Sequence, residues 1–372
     1  MKSIFITIPW FHPAYKAGGP VQSIANLVNE FKENVAYYIF CGNTDLNNTK
    51  LENIETGKWT RYNAHTQVWY AAQNKRSETI VDLIGKIKPD IVFIVGIFSW
   101  HFNMVPLLFG KAGHKIISVR GMLHKGALSQ KKNKKKIFLS LWKLMNWHKK
   151  ATFHVTNEEE KKEVENCFGD EADIFIAGNY PRRFNKNKTF KKPGHIKLIT
   201  VALISPMKNH LLILEALEQT PAIIEYHICG PVKDMEYWQK CLEQMKQLPV
   251  NVSVVYHGEI MPESVEGMLQ MSHVFIMPSK SENFGHAIYE SLSAGKPVIT
   301  SHHTPWQNLK EHTCGLNVNN DVNKIAEAII FFAAMTQQEY EVWSLGAIDY
   351  AEKAFDSNLL NEQYTAMFSV EE

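Results

Sequence analysis

At 372 residues the chain is longer than one hydrophobic core comfortably serves, so two domains are expected. Its 45% hydrophobic and 21% charged content are those of a globular protein, and a net charge of +2 provides no global field that would select nucleic acid. Five scattered cysteines (41, 167, 229, 241 and 314) without a C-x-x-C pair argue for a reducing compartment and against a disulfide framework or zinc site, and no apolar run approaches the ~18 residues of a membrane span.

In chain order, residues 4–8 read as a strand, β-branched and too short for the core of a signal peptide. A loop from Pro9 to Gly19 contains Tyr15-Lys16-Ala17-Gly18-Gly19, and Pro20 then opens a helix at its first position. Gly18-Gly19 make a tight turn where a backbone can approach an anion, though the pattern is neither the G-x-G-x-x-G fingerprint nor a P-loop. A plain strand–helix turn reads the same way. Residues 35–40 and 91–95 read as buried strands, with a helix at 78–87. A further strand at 116–119 ends in Arg120-Gly121-Met122-Leu123-His124. Eight lysines lie between 131 and 150, and positions 138, 141, 142 and 145 make a helical apolar stripe. A basic amphipathic helix of this kind suits an anionic bilayer surface, and equally a core-packed helix with a solvated lysine face. No nucleic-acid module accompanies it. Thr156 reads as the cap of the next helix, with Glu159 at the capping-box position. The first domain closes near residue 180, and residues 181–195, rich in lysine, arginine and proline, read as a linker.

The second domain, 196–350, opens with a strand at 196–202 and a loop through Leu203, Lys208 and His210 into a helix at 211–217. Strands at 226–229 and 252–258 and a helix at 261–271 lead to the stretch on which the chain is organised. An apolar run, 274–277, precedes Pro278-Ser279-Lys280-Ser281-Glu282-Asn283-Phe284-Gly285-His286-Ala287-Ile288-Tyr289-Glu290. A helix starts near Gly285 and is stopped by Gly295 and Pro297, and residues 298–300 form the next strand. The N–H groups of Phe284, Gly285 and His286 then lie at the positive end of the helix dipole, where an anion or sugar oxygen is welcome. Glu282 and Glu290 are about 12 Å apart if both are helical, too far for a catalytic pair but suited to one extended ligand. Ser301-His302-His303-Thr304-Pro305-Trp306 follows; its paired histidines have no third ligand at metal-site spacing. Helices are expected at 323–333 and 336–370.

E-x7-E within P-S-x-x-E-x-F-G, followed by E-S-L-S-A-G-K-P-V-I, resembles the donor-site signature of retaining glycosyltransferases of family 4. The resemblance implies the GT-B fold, two Rossmann-like α/β domains facing across a cleft, with residues 351–372 crossing back to the first, acceptor-side domain (1–180). It implies a UDP- or GDP-linked nucleotide-sugar donor, a hydroxyl acceptor and no further cofactor. Glu290 would take the ribose hydroxyls, Glu282 with the amides of Phe284 and Gly285 the donor sugar, and Lys208 the diphosphate. The first glycine loop, Gly18 and Gly19, would face that diphosphate, with Thr304 on the loop beside it. Where relatives carry a second diphosphate-binding arginine this chain has Leu203, and where many carry a histidine near the sugar it has Arg120, which enters the catalytic candidates with Glu282 and Lys208. The alternative for Arg120 is a surface arginine paired with a carboxylate. No D-x-D metal motif is present. A glycan or lipid-linked acceptor of bacterial surface polysaccharide is expected, in the cytoplasm or peripheral to the inner face of the plasma membrane. A GT-B sugar-nucleotide epimerase, a phosphorylase or a non-catalytic nucleotide-sugar-binding protein would share the architecture.

Overall fold

The computed structural model describes residues 1–14, 16, 18–74, 76–129 and 132–369. Tyr15 and Ala17 of the first glycine loop and Lys131 of the lysine run lie outside the described residues. The chain forms two compact units, one of residues 1–180 with 357–372, the other of residues 181–356.

The first unit is built on β1 (Lys2–Thr7), β2 (Val35–Gly42), β3 (Trp59–Arg61), β4 (Thr66–Ala71), β5 (Ile91–Val95), β6 (His114–Ser118), β7 (Thr152–Val155) and β8 (Ile174–Ile176), in the order β3-β4-β2-β1-β5-β6-β7-β8. All pairings are parallel except β3 with β4. Every residue of β5 is buried, which is why it reads as an unbroken apolar run rather than an alternation. The helices are α1 (Gly19–Glu30), α2 (Arg76–Ile87), α3 (Val105–Phe109), α4 (Lys125–Ser129), α5 (Lys132–Leu144) and α6 (Glu158–Phe168).

The second unit carries β9 (His195–Val201), β10 (Ile223–Cys229), β11 (Val252–Gly258), β12 (Val274–Met277), β13 (Val298–Ser301) and β14 (Gly315–Val318), all parallel, in the order β11-β10-β9-β12-β13-β14. Its helices are α7 (His210–Glu218), α8 (Met235–Met245), α9 (Val265–Met271), α10 (His286–Ser293), α11 (Val322–Ala334) and α12 (Gln337–Lys353); α13 (Ser357–Phe368) then returns to the first unit. Successive residues of β9 feed opposite cores: Leu198 packs with Tyr226, Ile276 and Phe332, whereas Ile199 packs with Phe275, Tyr289 and Leu292. The strand order reverses between β9 and β12. Ligands of doubly wound sheets bind beyond the carboxyl ends of the strands at such a reversal.

Several local expectations need correction. The cap of α6 is Asn157, whose side chain accepts from Glu160 N at 2.8 Å, not Thr156; the Glu160 carboxylate turns back to Thr156 N at 2.7 Å, so the capping pattern sits one residue later. The stripe at 138, 141, 142 and 145 is split: Phe138 and Trp142 pack into the core, while Leu141 and Met145 are exposed. The long terminal helix is two helices, broken between Lys353 and Ser357. The stretch read as a linker is fastened within the second unit. Lys191, 1% exposed, donates to the carbonyls of Lys192 and Ala333 at 2.9 Å and of Met335 at 3.3 Å, closing the carboxyl end of α11.

Candidate functional site

The loops after β9, β12 and β13 are stitched together at the strand-order reversal. After β9, Lys208 N donates to Ser205 O at 3.0 Å and Asn209 takes a left-handed conformation (φ 61°), closing a tight turn before α7. Asn209 Nδ2 donates to Pro278 O at 3.0 Å and Lys280 N to Met207 O at 2.9 Å, joining that turn to the loop after β12. The third loop is tied in by Glu282 N, which donates to His303 O at 3.1 Å, and by Ser301 Oγ, which donates to Ser279 O.

This stitching brings Lys208 and Glu282, 74 positions apart, into an ion pair between Nζ and Oε1. Ser279 Oγ donates to the same carboxylate oxygen at 2.6 Å. The two side chains keep 20% and 10% of their surface exposed. A largely desolvated pair at the end of a parallel sheet is weak evidence for stability, and a reasonable place for binding chemistry. Two residues on, His210 is fully buried without a hydrogen-bond partner for either ring nitrogen; burial first, and the Lys208 charge second, push its pKa down to about 3. It stays neutral and adds no charge to the site.

Gly285 sits in the left-handed region (φ 78°, ψ 59°) at the start of α10, and no side chain caps that end of the helix. A Cβ there would lie 3.3 Å from Trp306 Nε1 and 3.2 Å from Ile288 Cδ1. Trp306 Nε1 donates to Phe284 O at 2.6 Å, and the two rings meet edge to face at 5.5 Å, so the backbone at 284–285 is held from behind. Thr304, 5% exposed, turns its hydroxyl onto its own loop, donating to Ser301 O at 3.3 Å. Its side chain therefore serves the loop, and its carbonyl accepts from Gln307 Nε2.

Glu290 lies further along α10 and is 5% exposed. Its Oε1 faces Arg182 Nη2 at 3.4 Å, and the Arg182 guanidinium also lies 4.5 Å over the Phe184 ring. Burial pushes the Glu290 carboxyl up to about 7, outweighing the pull of Arg182 in the other direction. Arg182 is the residue that sequence reasoning missed: it stands in the stretch taken for a linker, and no local pattern ties it to a helix more than a hundred residues away.

In the first unit, Gly18 (φ 78°, ψ −138°) immediately precedes α1 and Gly19 is its first residue; here too no side chain caps the helix. A Cβ on Gly19 would meet nothing within 4 Å. Arg120 is neither on the surface nor paired with a carboxylate among the described residues. It is 8% exposed, holds a left-handed backbone (φ 54°), and donates through Nη1 to Asn179 Oδ1. The Gly121 amide beside it donates to Glu160 Oε1, so α6 fixes the turn that carries Arg120.

Residues 181–344 match the family model described as glycosyl transferases group 1. No curated protein sequence gives a significant match. Among solved structures, sucrose-phosphate synthase from Thermosynechococcus elongatus is similar with a TM-score of 0.73 at 17% identity, covering 99% of this chain and 98% of that one. HepE from Anabaena, solved with UDP and glucose, has a TM-score of 0.72 at 15% identity, over 99% of this chain and 100% of that one. WaaG, a glycosyltransferase involved in lipopolysaccharide biosynthesis, has a TM-score of 0.67 at 11% identity, over 99% and 100%. At such identities the likeness speaks for architecture. The chain has the GT-B fold, and its second unit matches the group 1 glycosyltransferase model from Pro181 to Ser344.

Proposed function

We propose that the protein is a retaining, metal-independent glycosyltransferase of family 4 that moves a sugar from a UDP- or GDP-linked donor to a hydroxyl acceptor. The observation that carries this reading is the Lys208–Glu282 pair at the strand-order reversal of the second unit, beside the uncapped start of α10. The match to glycosyl transferases group 1 over this unit supports it, as does the UDP bound by HepE.

On this reading the donor displaces the Lys208–Glu282 contact. Lys208 moves to the diphosphate, Glu282 accepts from sugar hydroxyls, and the amides at Phe284 and Gly285 meet donor oxygens. Glu290 accepts from the ribose hydroxyls. As the bond from the anomeric carbon to the diphosphate oxygen breaks, the leaving oxygen gains negative charge, and Lys208 with the α10 dipole stabilises it. Preorganised electrostatic stabilisation of this kind is commonly the largest catalytic contribution. No protein nucleophile is assigned: the acceptor hydroxyl attacks from the face the diphosphate leaves, and its proton passes to the departing phosphate.

For the acceptor we favour a lipid-linked glycan of bacterial surface polysaccharide, reached from the inner face of the plasma membrane. The lysine-rich α5 and the involvement of WaaG in lipopolysaccharide biosynthesis support this choice. Leu203, where an arginine would grip the diphosphate, is the one observation that favours a non-catalytic nucleotide-sugar-binding protein. Incubation with a panel of UDP- and GDP-sugars, reading free nucleoside diphosphate, separates the two. Release from one donor that Lys208→Ala suppresses supports the enzyme; donor binding without release supports the binding protein; neither binding nor release defeats both.

A further inference from the structure

In the first unit, segments at the carboxyl ends of β1, β2, β4 and β5 meet around one cation. Arg76, the first residue of α2, lays its guanidinium 5.4 Å over the ring of Phe102, on the turn beyond β5. A Cβ on Gly42, the last residue of β2, would stand 3.1 Å from Arg76 Nη2 and 3.0 Å from the carbonyl oxygen of Pro9, just beyond β1. Glycine there leaves the room that the guanidinium takes. The Ser77 hydroxyl and His101 Nδ1 lie 2.7 Å apart, which fastens the start of α2 to the turn that bears Phe102. The cation is thus held at the end of the sheet where ligands of such folds bind.

Held so firmly, the guanidinium is hardly used. Nη2 reaches Ala71 O, at the end of β4, only at 3.5 Å, Nε is sealed without a partner, and Nη1 makes no hydrogen bond but is not sealed. No carboxylate among the described residues pairs with it, and burial pulls its pKa down. The titratable group that acts on it, Cys41, is fully buried and held as a neutral thiol, so it supplies no counter-charge. Lys191 shows what a structural cation does in this chain: it spends its donors on three carbonyls. Arg76 is half-buried and spends almost none, although leaving a desolvated donor unpaired costs stability. The open edge of the fork, Nη1 with Nη2, matches two oxygens of one carboxylate or phosphate group.

We propose that Arg76 sets the acceptor specificity of the first unit: its fork grips an oxyanion, a carboxylate or a phosphate ester, carried by the sugar that is to be extended. This deepens the functional reading and rests on it for the acceptor's place on the first unit. Side-chain Nε–H resonances of the full chain, isotope-labelled in its five arginines, test it, and Arg76→Lys identifies the Arg76 signal by its loss. Methyl glucoside, methyl glucuronide and glucose 6-phosphate are titrated with UDP and GDP present to fill the donor's phosphate site. The Arg76 signal should move with the glucuronide or with the sugar phosphate, whichever acid the acceptor carries, at an affinity at least about tenfold above that for the glucoside. In saturation-transfer spectra of the sugars themselves, Arg76→Gln should lose that preference, whereas Arg76→Lys, which keeps the charge without the fork, should keep part of it. No shift with either acid sugar, or an equal shift with the glucoside, overturns the proposal. An equal shift from acetate or inorganic phosphate means an adventitious ion only and overturns it too, as does a preference that survives Arg76→Gln. Donor-dependent release of nucleoside diphosphate by the wild type reads separately on the glycosyltransferase assignment. Release without an Arg76 response sinks the acceptor inference alone; a response without donor binding or release leaves a sugar-acid site with no acceptor role and overturns both.

Discussion

Replacing Arg182 by glutamine should move the pH dependence of donor binding. At 3.4 Å, opposite unit charges in an effective dielectric of 20 interact by roughly 5 kcal/mol, and partial solvent access to Arg182 reduces this to about half. Losing that attraction raises the Glu290 carboxyl from about 7 by roughly another 2 pH units. A carboxylate accepts two ribose hydroxyls where a carboxylic acid cannot, so wild-type affinity should weaken as pH falls through 7, and the variant's inflection should lie near 9. Stability has the same origin and the opposite slope. A carboxyl raised from 4.5 to about 7 favours the folded state most below 4.5, and roughly 3 kcal/mol of that is lost as pH rises through 7. The Arg182→Gln protein should go on losing stability to higher pH. Calorimetric titration with UDP and GDP from pH 5.5 to 9.5, with urea unfolding on the same samples, measures both. An inflection that stays in place after the substitution would refute the coupling of Arg182 to Glu290. Wild-type affinity that does not vary with pH would refute the ribose role of Glu290.

Four shorter predictions accompany it. Lys208→Ala should lower the turnover rate by about 10²–10³, read as nucleoside diphosphate release, with a smaller change in donor KM; a rate within threefold of wild type removes Lys208 from the chemistry. Gly285→Ala introduces a left-handed alanine costing about 1–2 kcal/mol and a Cβ against Trp306. Urea unfolding should show that loss, and donor affinity should fall further because the backbone approach is obstructed. Gly230→Ala places a Cβ 2.0 Å from Ala202 O, backbone against backbone, and should cost about 3 kcal/mol or more, visible as a large fall in urea midpoint or as insoluble protein. Chelator should leave the transfer rate unchanged; a rate abolished by chelation and restored by magnesium ends the metal-independent proposal.

The βαβ unit from Val274 to Ser301 is legible to within a residue at the start of α10, because Gly295 and Pro297 stop the helix for stereochemical reasons that need no tertiary context. β3, β4 and β14 are not legible. Trp59–Arg61 and Gly315–Val318 are short and half polar, and β3 and β14 lie at the edges of their sheets, where apolar runs are not required. The cap of α6 is ambiguous for a different reason, since Thr156 and Asn157 are both good caps and each has a glutamate three residues on, Glu159 and Glu160. In α5 apolar residues occur on two sides of the helix, and only its seat on the first sheet decides that Phe138 and Trp142 turn in and Ile137 and Leu144 turn out. The Lys208–Glu282 pair could be assembled from motif positions. The Arg182–Glu290 pair depends on how an irregular segment runs past α10, which periodicity does not encode.

The return of α13 to the first unit has a consequence for biosynthesis. Tyr364 Oη donates to Gly178 O at 3.0 Å, and Phe368 packs at 5.8 Å from Phe31 and 6.1 Å from Phe93. The first unit, begun before the second, is therefore completed after it: its aromatic wall waits for α13 while the contiguous second unit already has every segment it needs. A nascent chain stalled before Ser357 would present Phe31 and Phe93 to chaperones.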